Sequence, residues 1–241
     1  MRLNRFLTLI FVLALSTSAQ AQTSVIPIVF VGVGSPEKVG LVASFARPGG
    51  NATGLSQIAQ ELGTKRLELL IEAFPDTRRV VYLGTADNPG SALSRQEVGQ
   101  TAKLLSVEFQ SFKLANTSDL DRAIVEAKKG GAGALNMADG AFNTFNRKRI
   151  IDLVAKNRLP AIYAHSEFTD AGGLMSYGPN YSEMYRRAAT YVDKILKGTN
   201  PANLPVERPI KFEFVINLKA AKQIGLTILP NVLARADKVI R

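Results

Sequence analysis

Between residues 59 and 171 short apolar runs alternate with amphipathic stretches, and this alternation limits the fold more than any other feature. The runs are Arg79-Val80-Val81-Tyr82-Leu83, Val107 to Phe112, Ala132 to Met137 and Leu159-Pro160-Ala161-Ile162-Tyr163-Ala164. Apolar residues crowd three of them without a polar face, as in strands covered on both sides; Val107 to Phe112 alternates and reads as more exposed. The first intervening stretch, 59–74, sets Leu62, Leu67, Leu70, Ile71 and Phe74 on one helical face, and Pro75 stops it. The spacing predicts further helices over 92–104 (capped by Ser91), from an S-x-x-D box at Ser118 to Asp121, and over 145–157 (capped by Asn143 or Thr144). Strand–helix–strand repeats of this length favour right-handed crossovers and a parallel sheet.

Ligands of such sheets sit outside the carboxyl ends of the strands. The loops 85–91, 113–117, 138–144 and 165–171 share that edge. Three carry polar tips: Asn88 with Ser91, Asp139 with Asn143, and His165 with Glu167. Each residue alone is also an ordinary turn or cap former. Their convergence on one edge is what marks a binding site.

On the amino-terminal side, Ile26 to Val31 is a β-branched run expected to form a strand buried on both faces. Gly32-Val33-Gly34-Ser35-Pro36 follows, but Glu37 stands where a dinucleotide fingerprint needs its third glycine. A short helix is expected over 36–45, then a turn at Arg47-Pro48-Gly49-Gly50-Asn51. On the carboxyl side, Gly172-Gly173 leads into Leu174-Met175-Ser176-Tyr177-Gly178. A long helix over 181–196 carries Met184, Ala188, Tyr191, Val192, Ile195 and Leu196 on one side, and Gly198 ends it. A strand over 210–216, a short helix over 218–224 and a last helix from Pro230, with Val232, Leu233, Ala236, Val239 and Ile240 on its face, complete the reading.

Arg2 and Arg5, the apolar core Phe6 to Leu15 and Ala19-Gln20-Ala21 have the form of an export leader cleaved after Ala21. Cleavage lowers the net charge from +10 to +8. The Lys and Arg residues are scattered, with no dense basic run, which argues against nucleic acid. The chain has no cysteine, so disulfides, a lipidated amino-terminal cysteine and a thiol nucleophile are excluded. His165 is the only histidine, which excludes a histidine-rich metal site and leaves one base for any serine triad. Gly173 to Gly178 has one residue too many before Ser176 for a nucleophile elbow. The residues assemble no complete catalytic set, and neither a metal nor a cofactor is expected.

Several segments together resemble one family. They are Ile26 to Ser56, Leu62-Gly63-Thr64-Lys65-Arg66-Leu67-Glu68-Leu69-Leu70, Ala171 to Gly178, Ile195-Leu196-Lys197-Gly198 and Lys211 to Lys219. The chain resembles the ABC-transporter substrate-binding proteins related to tryptophan- and tyrosine-binding receptors. The resemblance implies an α/β fold of the type I periplasmic-binding-protein kind. Two lobes of parallel sheet flanked by helices would close by hinge motion over a small amino-acid-like or aromatic ligand. The loaded form would dock on an ABC permease in the inner membrane, with no reaction catalysed. It also implies that the first strands and helices of lobe one are absent. The expected division is a signal peptide over 1–21, a lobe-one remnant over 22–58, lobe two over 59–171, a return and linker over 172–208, and a terminal strand with helices over 209–241. Carried over by motif and strand-end position, the ligand residues are Gly34, Ser35, Asn88, Ser91, Asp139, Asn143, Glu167, Ser176, Tyr177 and Gly178. Asp139 or Glu167 would pair with a ligand ammonium, helix N–H groups near Ser91 and Asn143 would hold a carboxylate, and Tyr177 would pack on an apolar group. Two alternatives remain: an exported hydrolase-like enzyme on the same scaffold, and a truncated receptor with no transport activity.

Overall fold

The computed structural model describes residues 25–86 and 88–241; the expected leader and its cleavage site lie outside the described residues. The chain opens with β1 (Ile28–Val33) and β2 (Ala52–Ser56), a parallel two-stranded layer. There follow α1 (Ala59–Ala73), β3 (Arg79–Thr85), α2 (Pro89–Leu104), β4 (Glu108–Leu114), α3 (Thr117–Lys129) and β5 (Ala134–Met137). Next come α4 (Ala141–Phe145), α5 (Arg147–Lys156), β6 (Ala161–Tyr163), α6 (Ser166–Asp170), β7 (Met175–Pro179) and α7 (Tyr181–Leu196). The chain ends with β8 (Phe212–Asn217), α8 (Leu218–Gln223), α9 (Pro230–Leu233) and β9 (Lys238–Ile240). Strands β3 to β9 form one sheet in the order β4-β3-β5-β6-β7-β8-β9. Every neighbouring pair is parallel except β7–β8, which is antiparallel.

The strand period of two explains why these runs lack a polar face. Val80, Tyr82, Ala134, Ile162, Met175 and Ile216 pack to one side, with Leu67, Leu70 and Val98 of α1 and α2. Val81, Leu83, Leu135, Met137 and Tyr163 pack to the other, with Leu120, Ile124 and Ile150 of α3 and α5. Helices cover both faces, so the central strands are apolar on both sides, while β4 at the sheet edge alternates.

The two-stranded layer is built differently. Only Phe30 of β1 is buried, against the expectation of a strand covered on both faces. Its cores are small: Phe30, Val42, Ala52 and Val206 on one side, and Leu55, Met184 and Ala188 on the other. Gly54 lets the two strands meet, because a Cβ there would sit 2.0 Å from the Phe30 carbonyl oxygen.

Other local expectations are corrected. Residues 36–45 form turns rather than a helix, with Leu41 N–H donating to the Pro36 carbonyl and Gly40 at φ +73° turning the chain out of helical conformation. Asn88, not Ser91, caps α2: its Oδ1 accepts from Ser91 N–H, and Pro89 begins the helix. Asn116, not Ser118, caps α3, while Asp119 reaches back to the Ala115 N–H at 3.0 Å. The expected helix 145–157 is two, divided at Asn146, and Asn143 lies within the first. The helix expected from Pro230 to the end stops at Leu233. Residues 238–240 instead extend the sheet as β9, clamped where Asp237 Oδ2 accepts from Phe214 N–H at 2.7 Å.

Candidate functional site

The carboxyl ends of β3, β5 and β6 and the end of β2 meet in one polar cluster. Asp139 follows β5 and His165 follows β6. His165 Nε2 donates to Asp139 Oδ1 at 2.7 Å, and its Nδ1 lies 3.4 Å from Glu167 Oε2 in the first turn of α6. Asp139 Oδ2 accepts from the Tyr181 hydroxyl at 2.7 Å, at the start of α7. That hydroxyl also meets the side-chain amide of Gln57, just past β2. The phenol has one proton, and the carboxylate is the stronger acceptor; a Gln57 amide turned NH2-first then donates to the phenol oxygen. The chain Gln57–Tyr181–Asp139–His165 thus joins the end of the small layer to the end of the large sheet. Gly32 makes room for it, since a Cβ there would lie 3.0 Å from the Tyr181 ring.

The charges are set by this contact network. Burial works against ionisation of Asp139. The hydrogen bond and charge of His165, with help from Tyr181 and Arg66, outweigh it and hold the carboxyl at about 2. Burial also works against a charged His165, but Asp139 and Glu167 push it up to about 9. His165 is therefore an imidazolium at neutral pH, donating from both nitrogens. Its hydrogen bond holds Glu167 below the usual carboxylate range, although that side chain is half exposed. Burial pushes the Tyr181 phenol far up, so it stays neutral.

Of the residues singled out from sequence, Asp139 and Glu167 stand at the centre, on the two sides of His165. Gly34 and Ser35 border it: a Cβ on Gly34 would lie 3.9 Å from the Gln57 side-chain amide, and Ser35 Oγ donates to Gln60 Oε1 at 2.5 Å. With Gln60, Glu37 and Arg208 they line a cavity of about 90 Å³. Asn88 approaches from the end of β3, its Nδ2 3.9 Å from where a Gly140 Cβ would be. Ser91 is turned inward, where its Oγ accepts from Thr85 N–H at 3.1 Å. Asn143 donates to the Ala138 carbonyl, leaving its Oδ1 buried without a partner.

Three residues of β7 are placed otherwise. Ser176 is wholly buried and shares a hydrogen bond with Thr169 at 3.2 Å. The Tyr177 ring packs against Phe212 and Phe214, away from His165. Gly178 backs onto the site: a Cβ there would fall 1.8 Å from the Ala164 carbonyl oxygen and 3.8 Å from the His165 Cα. Among the described residues no serine hydroxyl is bonded to His165, so the arrangement is a set of ionic and polar contacts without a nucleophile.

Sequence reasoning missed Gln57, Tyr181 and Arg66. Arg66 of α1 is 2% exposed, and its Nη1 donates to the Tyr177 carbonyl at 3.1 Å. Burial lowers its basicity, while Tyr82, Asp139, Tyr181 and Tyr177 raise it. A signal was present: Leu62, Arg66 and Leu70 recur at intervals of four, so a charge stands on the apolar stripe.

The family model described as "ABC transporter substrate binding protein" matches residues 9–240. The chain belongs to this family. A relative named tyrosine-binding protein, from Clostridioides difficile (strain R20291), is 24% identical over 217 residues, covering 88% of this chain and 62% of its own length. The present chain thus spans a little under two thirds of that relative. Among solved structures, a conserved domain protein of Vibrio cholerae superposes with a TM-score of 0.81 at 26% identity, over 88% of this chain and 71% of that one. An ABC domain in complex with L-Trp from Streptococcus pneumonia gives 0.80 at 21% identity, over 89% and 73%. The fold is that of type I periplasmic binding proteins, a mostly parallel sheet flanked by helices.

Proposed function

We propose that this chain captures an amino acid, with an aromatic side chain, for an ABC importer. The observation that carries the reading is the Gln57–Tyr181–Asp139–His165 chain. It spans two β layers at their carboxyl ends, where open α/β sheets hold ligands. The small layer (22–58, with the returning helix of 172–208) acts as one jaw. The body built on 59–171 acts as the other. Asp139 and Glu167 take the ligand ammonium; Gly34, Ser35 and Asn88 border the pocket. The names of the tyrosine- and tryptophan-associated relatives support the ligand class. The protein is exported with cleavage after Ala21, docks loaded on an inner-membrane ABC permease, and performs no chemistry; the buried, Thr169-bonded Ser176 speaks against the hydrolase alternative.

The test is isothermal titration of the full chain with L-tyrosine and L-tryptophan, with L-leucine and D-ribose as comparisons. Saturable heat with one aromatic amino acid, weakened tenfold or more by Asp139→Ala, is expected, since a charge-assisted contact is worth roughly 1.5–3 kcal/mol. Saturable binding of ribose alone, or of nothing up to millimolar concentrations, would sink the reading.

A further inference from the structure

We infer that Arg66 is the carboxylate-holding residue of the cleft, gripping the acid end of a zwitterionic ligand whose ammonium faces Asp139 and Glu167. This rests on the amino-acid reading above and adds the residue that orients the ligand.

Arg66 holds unspent donors. A guanidinium has five N–H groups in a planar fork shaped for a carboxylate. Arg66 is 98% removed from solvent by its 2% exposure, yet among the described residues its one recorded hydrogen bond is to the Tyr177 carbonyl. Its Nε is buried with no partner, and no carboxylate oxygen of the described residues lies within 4.0 Å of it. Buried arginines are normally paired, because an uncompensated charge in the interior is strongly unfavourable. The carboxylate nearby does not supply the pair. Asp139 favours the charged guanidinium electrostatically but makes no ion pair with it; its contacts are to His165 and Tyr181, which leave lone pairs on both oxygens.

Charge accounting gives the same result. The enclosed cluster holds two cations, Arg66 and His165, against the single enclosed carboxylate of Asp139; Glu167 is half in solvent. Arg66 is therefore the enclosed cation that no carboxylate of the described residues pairs; a zwitterion leaves the net charge unchanged and is held through two separate pairings. Tyr82, whose hydroxyl is buried and unpartnered among the described residues, and Tyr181, which belongs to the opposite layer, are among the groups whose electrostatics favour the charged guanidinium. Tyr181 and Gln57 reach the cluster from that layer. A ligand with both charges satisfies the site in one step: carboxylate to Arg66, ammonium to the Asp139–Glu167 side.

The experiment compares acids with their decarboxylated amines. L-tyrosine and L-tryptophan are titrated beside tyramine and tryptamine into the full chain and into Arg66→Gln, with thermal melts to confirm that the variant folds. The expected result is a preference of tenfold or more for each acid over its amine in the unaltered protein. In Arg66→Gln that preference collapses, with acid binding falling to the amine level and amine binding unchanged. If the variant loses its cooperative melt, the acid-to-amine ratio of the unaltered protein decides alone. Equal binding of acid and amine by the unaltered protein, or a preference retained in Arg66→Gln, overturns the role of Arg66 and leaves the capture of aromatic amines standing. Failure of all four compounds to bind overturns the functional reading and this inference with it.

Discussion

The seven-stranded sheet and the two-stranded layer differ in what keeps them folded. The first is enclosed by helices on both faces, and Leu67, Leu70, Val80, Val81, Leu83 and Leu135 have no measurable exposure. The second rests on two clusters of three or four buried side chains, and Ile28 on its surface strand is 46% exposed. Apolar burial stabilises in rough proportion to area, so the small layer contributes little by itself. It is held in place by α7 and by polar contacts made across the cleft. One part is therefore a fixed platform, and the other is an element held by fewer buried contacts and displaced at lower cost.

The largest test of this contrast is a matched pair of core truncations. Leu135→Ala in the platform is expected to cost about 2–5 kcal/mol, read as a drop in the denaturation midpoint of the whole chain. Val42→Ala in the small layer is expected to cost about 1–2 kcal/mol and to raise amide exchange mainly in residues 28–56. Equal loss in the global transition for both would show that the two layers unfold as one unit and break the comparison.

The second test is pH. His165 has a folded pKa of about 9 against its ordinary 6.5. Its contribution is therefore complete below pH 6.5 and lost as pH rises through 9. Asp139, at about 2 against 3.8, contributes above pH 3.8 and loses that contribution as pH falls through 2. Stability should fall between pH 6.5 and 9 by up to about 3 kcal/mol, with the small layer loosening first by hydrogen exchange. Asp139→Asn should flatten most of that slope. An unchanged slope would remove the His165–Asp139 contact as the source of the pH dependence.

The smallest effect is expected at the surface. Arg187 of α7 and Glu207 form a two-pronged ion pair at 2.6 and 2.7 Å, with both side chains more than a third exposed. Arg187→Ala should cost about 0–1 kcal/mol, and less as salt is raised. A larger loss, insensitive to salt, would mean that this pair, rather than the cleft contacts, fixes α7 on the small layer.

Much of the platform was legible because its periodicities are strong. The helices at 59–73 and 181–196 follow their apolar stripes, β3, β5 and β6 follow their apolar runs, and β4 follows its alternation. What failed was set by distant partners. Val239 and Ile240 fit a helical stripe, but β8 offered an unpaired edge, and the chain paired with it. Ser91 and Ser118 fit the pattern of caps, yet an asparagine two or three residues earlier took each role. At the site, Asp139 and Glu167 could be found because they follow strands. Gln57 and Tyr181 come from the other layer, and nothing local says that they reach across. Arg66 was readable only as an offence against its own helix's apolar face.

Gly178 shows how little freedom the site leaves to inheritance. Its position admits no side chain, because even a methyl group would be driven into the Ala164 backbone immediately before His165. Any codon change there that alters the amino acid displaces either β7 or the histidine that organises the cleft. A saturation library should therefore return a single tolerated letter at position 178.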